Sequence, residues 1–210
     1  MRRARVRRSR GGAVLPGPAR LILASGSPQR RAILEQIGAR FEVRVSDVEE
    51  LTDGPPAELV LENAYRKAAA VAAGLPPRAA DGGPCVLGVD TIVTLGARIF
   101  GKPRDEAHAA EILAQLAGRS HVVLSGVCLI EPGAPDRTRT AAAQTAVELR
   151  ALDRAAIDAY VATGEWRGRA GGYAIQGVGA TLVTRVEGDY LSVVGLPVAT
   201  LLDLAPWLAR

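Results

Sequence analysis

Apolar residues fall into short runs punctuated by polar, glycine and proline positions. Residues 20–25 (RLILAS) make an apolar run that predicts a buried strand, followed by a tight turn. Ser27 then predicts an N-cap with Pro28 at the first helical position. Ile33, Leu34 and Ile37 recur at helical spacing, and Gly38 ends that helix. Residues 41–45 alternate as a strand, and an acidic loop follows at 47–50. An alanine-rich helix is predicted from Pro56 to about Ala73, with Leu59, Leu61 and Val71 among its apolar positions. Residues 75–84 carry the Pro and Gly of a loop. The run 85–89 predicts a short central strand ending at Asp90, and 93–100 a hairpin turning at Gly96-Ala97. Asp105 caps a helix to about Leu116. Strands follow over 120–130 and 138–149, and Asp153 starts a helix to about Val161. A glycine-rich stretch over 164–179, a strand over 181–186 and a helix from about Pro197 close the chain. Strands and helices mix without strict alternation, which predicts a mixed α/β (α+β) sheet.

Composition narrows the class. The chain has 210 residues, 48% of them hydrophobic, enough for one α/β domain with room for two lobes around a cleft. Aromatics are only 4%, so Val, Leu, Ile and Ala must fill the core. No apolar run approaches the roughly 18 residues of a membrane span, and no secretory signal follows the basic start. Cys85 and Cys128 lie far apart and match no zinc spacing, so they read as reduced core residues of a cytoplasmic protein.

Net charge is +4, but its distribution matters more. Residues 1–20 hold seven arginines and no acid; removing them from 26 basic residues leaves 19 against 22 acidic ones, formally −3. The expected organisation is a disordered basic extension over 1–19 and one domain over 20–210. A basic arm can neutralise nucleic-acid phosphates without specificity, but no specific nucleic-acid partner is expected. Lys67 and Lys102 are the sole lysines, and an ammonium's compact charge is one reason to keep them.

Several segments carry candidate chemistry. Ser25-Gly26-Ser27-Pro28-Gln29-Arg30 joins a strand end, a small-residue turn and a helix start, where backbone N–H groups and the helix dipole favour an anion. Taken alone, it reads equally as a capped helix with surface arginines. A carboxylate placed like Asp90 must be paired, hydrogen-bonded or metal-bound. Glu49 and Glu50 add carboxylates suited to Mg²⁺ or Mn²⁺, or form a solvated acidic loop. In the run GGYAIQG, Gln176 offers a donor and an acceptor able to read a base edge. His108 and His121 are too isolated for a metal site.

Together, LILASGSPQRR, SDVEE, ENAYRKA, GVDT, GKP, LAGRSH, GGYAIQGVGA and EGDYLSVVGLP resemble the Maf family of nucleoside triphosphate pyrophosphatases, in that family's order. The resemblance runs from Leu21 to about Leu202. It implies a Maf- or inosine-triphosphatase-like fold with two lobes around a substrate cleft, a divalent metal and a homodimer. By position, Asp90 matches the proton acceptor and Glu49 a charged residue lining the active cleft; the two are the expected metal ligands. Lys67 and Lys102 match cleft cations, and Ser25, Ser27 and Arg30 match the phosphate loop. Thr91 and Gln176 match positions tied to pyrimidine preference in the dTTP/UTP branch. That branch reads Ser-Pro-Arg-Arg where this chain has Gln29, and an amide supplies neither charge nor fork. The implied reaction releases monophosphate and pyrophosphate. The rival readings are a nucleotide- or nucleic-acid-binding regulator without hydrolysis, and an enzyme for 7-methyl-GTP or inosine triphosphate.

Overall fold

The computed structural model describes residues 20–77 and 83–209. The basic extension and residues 78–82 of the predicted loop lie outside the described residues. Seven strands form one mixed sheet in the order β2-β1-β3-β5-β6-β7, with β4 on a side of β3. β1 (Arg20–Leu23) runs parallel to β2 (Phe41–Val43) and to β3 (Pro84–Leu95). β4 (Arg98–Phe100), β5 (Ser120–Ile130), β6 (Arg139–Leu149) and β7 (Val183–Glu187) add antiparallel pairs.

The helices cover both faces, so the central strands are apolar on both. α1 (Pro28–Gln36), α3 (Glu106–Leu116) and α4 (Arg154–Ala162) contribute Ile33, Leu34, Leu113, Leu116 and Ile157 to the larger core, as α6 (Val198–Leu204) contributes Leu201. α2 (Pro56–Ala72) packs alone on the opposite face through Val60, Ala64 and Ala68.

Two glycines decide how close α2 lies. A Cβ on Gly88 would fall 2.0 Å from the Ala64 carbonyl oxygen, and one on Gly126 would fall 2.5 Å from that of Val60. Only hydrogen fits there, so the helix backbone rests directly on β3 and β5. Asp90 pairs across the sheet with Gly126 and shares a face with Gly88. The close approach therefore sets Asn63 and Lys67, on the buried side of α2, against Asp90.

Three boundaries differ from the sequence reading. β3 was expected to stop at Asp90, yet it begins at Pro84 and continues to Leu95 because β5 pairs with it from Val86 to Thr94. A short helix α5 (Tyr190–Val194), capped by Asp189, was not anticipated; five residues carry too little periodicity. The glycine-rich stretch folds into 3₁₀ turns at Ala170–Gly172 and Gly177–Leu182, which delays β7 to Val183.

Candidate active site

The site begins with a break in the sheet. β1 ends at Leu23 opposite Leu87, and β4 joins the same edge of β3 only at Val93. Among the described residues, 88–92 of β3 therefore have no strand beside them on that edge. The gap lies beyond the carboxyl end of a parallel strand, where open α/β sheets place ligands. A cleft of about 440 Å³ opens there. Ser25, Ser27, Gln29, Arg30, Lys67, Thr91, Lys102 and Gln176 line it. Asp90 lies behind Lys67 and is 3% exposed.

Asp90 and Thr91 are neighbours in the gap but point to opposite faces, as successive strand residues must. On the α2 face, Lys67 Nζ donates to Asp90 Oδ1 at 2.6 Å and to Glu50 Oε1 at 2.8 Å. Lys102 Nζ reaches the same Glu50 oxygen at 3.2 Å. Asn63 donates to Asp90 Oδ2 at 3.1 Å and holds Leu51 through both its amide atoms, at 2.8 and 2.9 Å. One side chain thus fixes the acidic loop and orients the carboxylate. Burial would raise the Glu50 carboxyl, but the two lysines outweigh it and hold it down at about 2.

On the other face stands the turn 25–27. Ser27 caps α1, accepting from the Arg30 backbone N–H at 3.4 Å, and its hydroxyl donates to Gln29 Oε1 at 3.0 Å. Arg30 donates from Nε to the Gly195 carbonyl at 3.0 Å, from Nη1 to Ser25 Oγ at 2.8 Å and from Nη2 to Thr91 Oγ1 at 3.4 Å. Burial pulls its pKa down, while Asp90 and Glu50 pull it up.

The far wall is built from residues 167–176 and fastened mostly through backbone contacts and neutral side chains, with an exposed Arg167–Glu106 ion pair at 3.4 Å. The Tyr173 hydroxyl and His121 Nε2 lie 2.7 Å apart, and the Ala174 N–H donates to Tyr160 at 2.9 Å. Glu165 accepts from the backbone N–H groups of Val178 and Gly179, both at 2.9 Å. The Gly171 N–H donates to the Gly101 carbonyl at 3.1 Å, which ties this wall to the turn bearing Lys102. Gly177 has a φ of +67°, and a Cβ there would lie 2.4 Å from Glu165 Oε1. Burial pushes His121 down to about 4, against the opposing Arg119 backbone, so it is neutral near pH 7.

The acidic loop brings Glu50 to the lysines. Glu49, the carboxylate assigned to the site beforehand, does not line the cleft but an adjoining smaller depression, with Glu50, Asp53 and Arg66. Asn63, Arg167, Arg169 and Tyr173 were not singled out from sequence; Glu50 was a candidate carboxylate there, but the site assignment fell on Glu49. Asn63 carried a signal, since it lies four residues before Lys67 on one helix face.

The fold and cleft define a class: a mixed-sheet α/β protein with a cleft where a capped helix start meets a lysine–carboxylate cluster. The family profile described as Maf-like protein matches residues 20–206. The chain belongs to the Maf family. It is 46% identical over 187 residues to a dTTP/UTP pyrophosphatase from Gloeobacter violaceus, covering 88% of this chain and 94% of that protein. A dTTP/UTP pyrophosphatase from Deinococcus radiodurans is 44% identical over 186 residues, covering 88% and 91%. Among solved structures, a HAM1 protein from Coxiella burnetii aligns with 62% of this chain and 72% of its own, at a TM-score of 0.46 and 20% identity.

Proposed function

We propose that this protein hydrolyses nucleoside triphosphates to nucleoside monophosphate and pyrophosphate, with dTTP and UTP as preferred substrates. The observation that carries the reading is Lys67, clasped between Asp90 and Glu50 at the floor of the cleft, beside the capped turn 25–27. The relatives named dTTP/UTP pyrophosphatase supply the substrate class.

The cofactor in this reading is Mg²⁺ or Mn²⁺. Asp90 and Glu50 converge on a single ammonium, a spacing that suits two hard oxygen donors for one ion. No three His, Cys, Asp or Glu residues cluster for a metal among the described residues. That fits an ion held by one or two carboxylates and completed by substrate phosphates and water. Asp90 and Glu50 would hold it, with Glu49 next along the loop. When bound, it would polarise the phosphorus–oxygen bonds.

The chain's own groups do the rest. Each Asp90 oxygen keeps a lone pair beyond its present bond, so the carboxylate can take a proton from the attacking water. Lys67, Lys102 and Arg30 offset charge spreading over the phosphates, and Ser25 and Ser27 orient them. Water attacks the α-phosphorus, the α–β bridging bond breaks, and pyrophosphate leaves. Thr91, Gln176 and Gln29 face the same cleft and are assigned to recognition of the nucleoside. The reading extends to a cytoplasmic homodimer that clears surplus or non-standard nucleotides.

Pyrophosphate release from dTTP, UTP, CTP, GTP and 7-methyl-GTP, with and without EDTA, tests this. Release from dTTP and UTP that EDTA abolishes is the expected result. Triphosphate binding without hydrolysis would overturn the enzymatic reading, and a preference for 7-methyl-GTP would overturn the base assignment alone.

A further inference from the structure

The segment EGDYLSVVGLP is among the motifs the sequence singles out, yet the proposed reaction gives it no task. The structure assigns it one. Two of its carbonyls converge on Arg30, Gly195 directly and Ser192 through a relay of two hydroxyls. Ser125 is fully buried on β5. Its Oγ lies 3.0 Å from the Ser192 carbonyl oxygen and 2.9 Å from Thr91 Oγ1. A carbonyl can only accept, so the single Ser125 proton goes to Ser192. Toward Thr91, Ser125 must then accept, and the Thr91 proton goes to Ser125. Thr91 therefore meets Arg30 Nη2 as an acceptor.

We infer that Ser125 is a positioning residue for substrate phosphate. By fixing the direction of the Thr91 hydroxyl it holds the Arg30 guanidinium in one plane. A guanidinium has five N–H donors. Three go to Gly195, Ser25 and Thr91. The two left over sit one on each Nη, where they remain available to phosphate oxygens. Gly195 has a φ of +132°, a conformation that favours glycine, so its carbonyl direction depends on that residue. Arg30 itself belongs to the proposed function, on which this inference rests. The relay through Ser125 to α5 goes beyond it.

The test is calorimetric binding of inorganic tripolyphosphate, and of a non-hydrolysable UTP analogue, to Ser125→Ala, Thr91→Val and the double variant. Uridine serves as the phosphate-free control, and thermal melts confirm folding. Ser125→Ala is expected to weaken both phosphate ligands by about three- to tenfold, the loss of one neutral hydrogen bond, and Thr91→Val, which also removes the bond from Arg30, by at least as much. Uridine binding should not change with Ser125→Ala. The double variant should bind no more weakly than the worse single one, because both break the same chain. In an Arg30→Lys background, Ser125→Ala should have no further effect. A folded Ser125→Ala that binds tripolyphosphate like wild type overturns the relay alone, as do additive losses in the double variant. A wild type that binds neither phosphate ligand overturns the relay and the proposed function together.

Discussion

The two walls of the cleft hold their residues by opposite means. The near wall is charged: Lys67, Lys102, Glu50, Asp90 and Arg30 bind one another or are fixed by carbonyls and hydroxyls. The far wall is a glycine-rich segment fastened mainly through its backbone, by Tyr160, His121 and Glu165. Charges held in place before substrate arrives need no reorganisation when charge develops, which suits them to phosphate chemistry. Backbone fastening leaves Gln176 at the N-terminal edge of a turn, where a small shift changes what fits and not what reacts. The division predicts that near-wall substitutions alter turnover and far-wall substitutions alter selectivity or stability.

Asp90→Asn gives the largest expected break. The amide is neither a base nor an anionic partner for Lys67, and loss of a general base lowers kcat by about 10²–10⁴-fold. Steady-state kinetics on dTTP decides this; turnover within threefold of wild type removes Asp90 from the mechanism.

Next comes the acidic loop, where neighbouring residues part company. Glu50→Gln loses its charge-assisted bonds to both lysines, of which the one to buried Lys67 contributes more than the solvent-screened one to Lys102. Activity should fall at least tenfold and the magnesium dependence should shift to higher concentration. Glu49→Gln should stay within threefold. The reverse order would place the metal ligand at Glu49 and mean that the loop turns over when substrate binds.

Acid should separate the walls by stability. Unfolded, His121 takes a proton near its ordinary 6.5; folded, only near 4. Between those values the unfolded chain binds the extra proton, so the stability it contributes is full above 6.5 and declines as pH falls toward 4. Glu50, lowered from 4.5 to about 2, contributes stability that is lost only below 4.5. Melting temperatures between pH 7 and pH 4 should fall, and His121→Gln should flatten that slope; an unchanged slope would assign the acid loss to other groups.

The smallest effect concerns Gln29. An arginine there adds a charge-assisted bond in place of a neutral one, a difference on the order of 1 kcal/mol, or about fivefold. Gln29→Arg should sharpen selectivity for dTTP and UTP over CTP and GTP by that factor, measured as kcat/KM, without changing the products. Arg30 already stands beside the position, anchored at three points. No change in selectivity would show that its fork serves for both.

The features legible in the amino-acid sequence are local ones. Ser27 and Pro28 mark the start of α1, and Asp105 and Asp153 cap α3 and α4, because a cap is an interaction within three residues. The lengths of β5 and β6 were legible because apolar pattern and turn residues bracket them. The ordered motifs named the family, and most of the candidate residues proved to line one cleft. Tertiary structure alone decided the rest. Asp90 lies inside β3, not at its end, because pairing with β5 carries the strand past it and Lys67 and Asn63 satisfy its carboxylate. Nothing near 49–50 distinguishes two adjacent glutamates; Asn63, from the next helix, fixes the loop that turns Glu50 to the lysines. The glycines that seat α2, and the path from α5 through Ser125 and Thr91 to Arg30, join residues far apart in the chain. Such contacts exist only once the sheet has set the register, so no local pattern encodes them.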